Sequence, residues 1–148
     1  MPIRRDQWQT KVKAVERDYL SASWAMDAFI QSADQNVLLV KPGLRIVDFK
    51  KSREGLEGTY LIRLFVEFEV SLRTYWTSLR NTHPPMKVLI DRLGSRFKVP
   101  FDPLRDTHQV REYRNSLVHE LDEDVAFVAI ENARRHLCIF LNYLPPEW

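Results

Sequence analysis

Glycine and cysteine are both scarce in this 148-residue chain, with four of the first and one of the second. Few glycines, with eight prolines placed mostly at candidate element ends, favour long helices joined by short connections. The lone Cys138 excludes an internal disulfide and any cysteine-rich zinc site, and it fits a reducing compartment. No apolar run approaches the ~20 residues that a membrane span needs. The start, Met1-Pro2-Ile3-Arg4-Arg5, lacks the apolar core of a signal peptide. An excess of one charge is missing too: 22 basic residues stand against 20 acidic ones, a net charge of +2. Such a chain does not coat nucleic acid through bulk electrostatics, so any such contact must be local. These absences lead us to expect a soluble cytoplasmic protein without a membrane partner, folded as one domain over 1–148.

What is present is amphipathic pattern. Hydrophobic residues make up 45% of the chain beside 28% charged ones, which suits helices with one buried face. The spacing predicts a first helix over about 6–33, carried by Trp8, Val12, Val15, Tyr19, Trp24, Ala25, Ala28 and Phe29. The pattern breaks from Asp34 to Lys50, where Pro42-Gly43 signals a turn. Val37–Val40 and Leu44–Phe49 are β-branched and apolar enough for short extended pieces, in a small hairpin or an ordered loop. Ser52 is the expected cap of a long second helix to about Arg80, with the stripe Leu61, Leu64, Phe65, Phe68, Leu72, Tyr75, Trp76 and Leu79. Pro84-Pro85 stops it. A third helix starts near Met86 and ends near Gly94, and a fourth covers about 104–119. Asp122, Glu123 and Asp124 suit the start of a last helix ending near Leu144, before Pro145-Pro146. The expected fold class is all-α: an antiparallel bundle of four to five helices with an irregular or short β excursion at about 35–50.

Chemistry concentrates in Arg111-Glu112-Tyr113-Arg114-Asn115-Ser116-Leu117-Val118-His119-Glu120. Arg114 is a permanent cation, Asn115 a polar amide and His119 a titratable imidazole. Asn115 and His119 are four apart and share a helix face with Glu112. Arg114 and His119 are five apart and diverge by roughly 140° on a straight helix. They reach one phosphate if the helix ends near His119 and turns the imidazole inward, or if a second subunit supplies the matching group across a two-fold axis. The chemistry that fits is RNA cleavage by internal transphosphorylation. A neutral imidazole takes the 2′-hydroxyl proton, and a guanidinium holds the phosphate oxygens in a bidentate fork. Asn115 orients either group or donates to the phosphate. No metal or other cofactor is required. The alternative is an ordinary polar helix face, because an arginine and a histidine at this spacing are common by chance.

Arg114-Asn115-x-x-x-His119, late in an all-helical chain, resembles the HEPN superfamily. That family's signature is an arginine, four to six residues, then a histidine, often with a polar residue directly after the arginine. The segment Thr59-Tyr-Leu-Ile-Arg-Leu-Phe-Val-Glu-Phe-Glu-Val-Ser-Leu-Arg-Thr-Tyr-Trp76 also resembles the corresponding HEPN helix. The resemblance covers about 52–144. It implies a homodimer of helical bundles acting on RNA, in many members as a metal-independent endoribonuclease of toxin–antitoxin, phage-defence or stress systems. An antitoxin or other protein is then a further partner. Other members are catalytically silent modules that bind RNA, nucleotide or protein. Under the resemblance Arg114 is the phosphate clamp, His119 the general base or acid and Asn115 the orienter. One toxin branch has a tyrosine two residues after the histidine, where this chain has Leu121, so that branch's mechanism does not transfer.

Other residues carry open readings. Glu69 either pairs with Arg114, as the acidic residue many HEPN proteins place on this helix, or pairs with Arg73 four residues on. Glu67 points further out. Glu57 falls inside the apolar stripe, as a buried partner for a basic residue or as a sign of a later helix start. His83 reads as a turn residue, and His108 and His136 as structural or surface histidines. The tryptophans read as core or interface groups, and Cys138 as core. Arg134-Arg135 and Lys50-Lys51 with Arg53 are small basic clusters, on solvated surface or guiding RNA.

Overall fold

The computed structural model describes residues 1–119 and 124–148. Among these, five α-helices follow one another: α1 Arg5–Gln35, α2 Ile46–Leu79, α3 Met86–Arg96, α4 Phe101–His119 and α5 Ile130–Asn142. No strand occurs among the described residues, and the one β-type contact is an isolated bridge between Arg4 and Glu147. The all-helical bundle is therefore as expected.

The expected stripe of α2 is the buried one. Leu61, Leu64, Phe65, Phe68 and Leu72 are each at most 1% exposed, and Tyr75 and Trp76 are buried as well. Helix α1 brings Trp8, Val12, Val15 and Tyr19 to the same core, and α5 brings Ala133, Leu137, Phe140 and Leu141. The ring of Phe68 meets that of Phe140 edge-on at 5.7 Å between centroids. Helix α4 packs against α2, α3 and α5. The Trp148 indole stacks on Trp8 at 6.2 Å and donates its N–H to the Ser71 carbonyl at 2.7 Å, which ties the end of the chain to α2.

At 35–50 the irregular alternative holds for 36–45, the β alternative does not, and the rest is helix. Val37–Leu39 forms one 3-10 turn, and α2 begins at Ile46, six residues before the expected cap Ser52. Gly43, at φ 92°, takes the left-handed backbone that reverses the chain. The Asp48 carboxylate accepts the Arg45 backbone N–H at 2.8 Å, which starts the helix and holds that carboxyl below its usual range. Phe49 then meets Phe29 of α1 at 4.9 Å. This pairing with α1 overrides the β-branched local preference of Ile46 and Val47. Toward their connection the two long helices pair as a hairpin: Arg53 donates to Asp27 at 2.8 Å and Lys50 pairs with Asp34 at 3.2 Å.

Helix α5 also starts later than expected. Asp122 and Glu123 lie outside the described residues, and Asp124–Ala129 is not helical. The start is fixed instead by Glu57 of α2, whose Oε1 accepts the Ile130 backbone N–H at 2.9 Å. Glu57 thus caps a helix far along the chain rather than pairing with a base. Removing the acceptor in Glu57→Ala is expected to cost about 1 kcal/mol in urea unfolding, the usual scale for a lost cap. Glu57→Gln keeps an oxygen there and should cost a few tenths at most. An equal loss in both variants would refute the capping role.

Candidate functional site

The end of α4 is seated on α2. Thr107 and Val110 are buried, and Tyr113, Arg114 and Leu117 continue that face half-buried. Gly58 permits the close approach. A Cβ built there would stand 3.3 Å from a Leu117 methyl, tighter than ordinary van der Waals contact.

Arg114 lies on this face with its guanidinium carbon 5.6 Å from the Phe65 ring centroid. Its Nη1 donates to Asn115 Oδ1 at 3.2 Å. Its Nε is buried and, among the described residues, has no hydrogen-bond partner. A buried N–H left in that state costs about 1–3 kcal/mol. His119, the last residue of α4, is exposed. It lies five residues from Arg114, which separates them by roughly 140° and ~7.5 Å along the axis of a regular helix. Exposure of His119 does not favour the inward turn of the imidazole, one of the two arrangements that would unite the pair. Within one chain Arg114 and Asn115 are together and His119 stands apart.

The supporting carboxylates are engaged elsewhere. Glu69 accepts from Arg73 Nε at 2.8 Å, and the same arginine donates to the Pro84 carbonyl at 3.1 Å. Glu69 therefore serves its own helix, and Arg114 does not draw on it. Four residues along one helix bring these two side chains together without any tertiary adjustment. Glu112 is exposed and accepts from Arg111 Nη2 at 3.3 Å. Arg111 Nε also donates to His108 Nδ1 at 3.3 Å, and His108 Nε2 lies 2.7 Å from Asp91 Oδ1. Nδ1 is thus the acceptor, and the ring proton sits on Nε2 facing the carboxylate. His136 pairs with Asp106 at 3.6 Å. Both histidines are anchors between helices. Arg134 reaches Glu16 of α1 at 2.6 Å. Burial pushes the Cys138 thiol above its ordinary range.

A feature missed in the sequence lies on the other flank of α4. Glu54, Glu57, Ile62, Tyr113, Leu117 and Phe127 line a groove of about 250 Å³. The Tyr113 and Phe127 rings meet edge-on at 5.4 Å, and Phe127 is 65% exposed. Burial, and then the Glu57 charge, raise the Tyr113 hydroxyl above its usual range. Phe127 had no periodic signal because Asp124–Ala129 is not helical. Among the described residues no three His, Cys, Asp or Glu side chains are grouped to hold a metal ion. No helix among them is long and apolar enough to cross a membrane.

No protein-family model matches this chain. No curated protein and no solved structure is similar to it either. The site must therefore be judged on its geometry.

If Arg114 is kept for a ligand, its removal should not weaken the fold. Arg114→Met fills similar space and deletes the unpartnered N–H. We expect urea unfolding to show stability unchanged or raised by up to about 1 kcal/mol, the lost ring contact offsetting part of the gain. A loss above about 2 kcal/mol would mark the guanidinium as structural.

Proposed function

We propose that this protein is a metal-independent endoribonuclease of the HEPN type, acting as a homodimer. The observation that carries the reading is Arg114: a half-buried cation beside Asn115 with an unpartnered buried N–H, at the end of a helix whose last residue is His119. The divergence of Arg114 and His119 makes a second copy part of the proposal, since two-fold symmetry brings the His119 of one chain to the Arg114 of the other.

In that arrangement the guanidinium binds the two non-bridging oxygens of a phosphodiester and offsets the charge that grows on them. One imidazole takes the 2′-hydroxyl proton. The 2′-oxygen bonds to phosphorus as the bond to the 5′-oxygen breaks, and that leaving oxygen takes a proton from water. The products are a 2′,3′-cyclic phosphate and a free 5′-hydroxyl. Asn115 holds Arg114 through its side-chain carbonyl. A cytoplasmic setting, and a toxin–antitoxin or defence role with a protein antagonist, belong to this proposal through the HEPN resemblance alone. A second reading, a silent HEPN module that binds RNA, nucleotide or protein, is favoured by the exposure of His119 on the side away from Arg114.

Purified protein incubated with RNA in excess chelator is expected to yield cyclic-phosphate ends. His119→Ala and Arg114→Ala should each slow this by about 10²- to 10⁴-fold. Mixing the two inactive variants should restore part of the activity, because one site of each mixed dimer regains both groups. Undiminished cleavage by either variant would remove the site assignment. Intact RNA binding without cleavage would select the silent module.

A further inference from the structure

A second cationic site stands at the far end of α2. Arg80 at the C-terminal cap of that helix and Arg92 and Arg96 of α3 line a cleft of about 520 Å³ with Trp76, Leu79 and Ser95. All three arginines are exposed. Among the described residues none of them forms an ion pair, whereas Arg73, Arg105, Arg111 and Arg134 all do.

Their heads are nevertheless positioned. The guanidinium carbons of Arg80 and Arg92 each lie 5.6 Å from the same Trp76 ring, and that of Arg96 lies 5.9 Å from Phe97. The Trp76 ring is fixed in turn by its N–H, which donates to the Thr82 hydroxyl at 2.9 Å. Two cations held on one indole repel each other, and an anion between them relieves the repulsion. Side chains already ordered by ring contacts lose less freedom when they bind. A guanidinium fork matches phosphate oxygens, and the Ser95 hydroxyl at the rim adds a donor.

We infer that this cleft binds the phosphodiester backbone of single-stranded RNA, as a site separate from Arg114. A protein partner would call for an apolar centre, but here the indole is buried beneath its cations and Leu79 alone offers exposed apolar surface. Trp76 lies eleven residues from Phe65, the ring under Arg114, on the same side of α2. The two cationic sites are therefore ~16 Å apart along the axis. A stacked strand covers that span with about five nucleotides at ~3.4 Å each. One polymer of phosphates can occupy both sites, whereas a mononucleotide cannot. Naming RNA as the polymer rests on the function proposed above. The cleft itself does not depend on cleavage.

The test uses fluorescence anisotropy with a labelled, uncleavable 2′-O-methyl 12-mer. The triple variant Arg80→Gln, Arg92→Gln, Arg96→Gln is expected to bind at least about tenfold more weakly, and its logarithmic salt slope should flatten by about 0.7 for each arginine removed. A control triple at the exposed Lys13→Gln, Arg17→Gln and Lys41→Gln should bind nearly as wild type does. On a cleavable RNA of twelve nucleotides the cleft variant should raise KM and keep kcat, while on a trinucleotide it should match wild type. Unchanged 12-mer binding by the cleft variant overturns the inference, as does an equal loss in the control. Displacement of the 12-mer by tripolyphosphate as effective per phosphate as RNA would assign the cleft to free phosphates. Equal displacement by polyglutamate would assign it to an acidic protein. If no RNA is cleaved yet the cleft variant binds weakly, the ribonuclease reading fails and this one stands. If cleavage is normal and binding is unchanged, the reverse holds.

Discussion

Helix α2 touches each of the other four helices, so burial of its Leu61–Trp76 stripe fixes where everything else stands. Each fully buried Leu or Phe on that stripe contributes about 1.5–3 kcal/mol, and no other helix carries as many of them. Both cationic sites are referred to the same helix. Arg114 is laid on Phe65 and Arg80 on Trp76, so one rigid element sets the distance between them. The carboxylate that starts α5 also comes from α2, through Glu57. A single core helix thereby serves as both the hydrophobic centre and the ruler for the polar surface.

Polar contacts across the bundle are specific. Arg134 meets Glu16 between α5 and α1, His108 meets Asp91 between α4 and α3, and the Trp148 indole meets the Ser71 carbonyl. Each joins elements whose apolar faces already pack, which selects one register among several that hydrophobic burial alone would tolerate. Against that background an unpartnered buried N–H is a departure from the rule, and Arg114 carries one of two among the described residues, with Trp8. The Trp8 indole lies within the Trp148 stack, with the Lys11 ammonium 4.4 Å from its ring centroid. Arg114 lies beside an amide at a helix end.

Where a strong local period met a tertiary partner of the same kind, the sequence was readable. The stripe of α2 and the existence of α1, α3 and α4 follow from spacing. Boundaries set by distant partners were not readable. Ser52 looks like a cap, yet Asp48 starts α2, because Phe49 already packs on Phe29. Asp122 to Asp124 look like a helix start, yet the acceptor at the start of α5 is Glu57, seventy-three residues before Ile130. The fate of Glu69 depended on whether a helical neighbour or a tertiary cation stood closer, and Arg73 did. The Arg80–Arg92–Arg96 cleft was invisible for a different reason. It unites the end of one helix with the face of the next, and the Pro84-Pro85 break between them interrupts any helical period that would join them.

Helices α1 and α2 would measure about 46 and 51 Å at ideal rise, against about 20 Å for α5. The shorter helices cannot cover them, so the hairpin around Phe29 and Phe49 rests on two helices alone while the Leu61–Trp76 half rests on five. Cooperative unfolding of such a body is graded rather than uniform. Amide exchange would run fastest near the Pro42-Gly43 reversal and slow progressively toward Phe68. The distal hairpin could then open and close many times within the lifetime of a core that still holds both cationic sites in place.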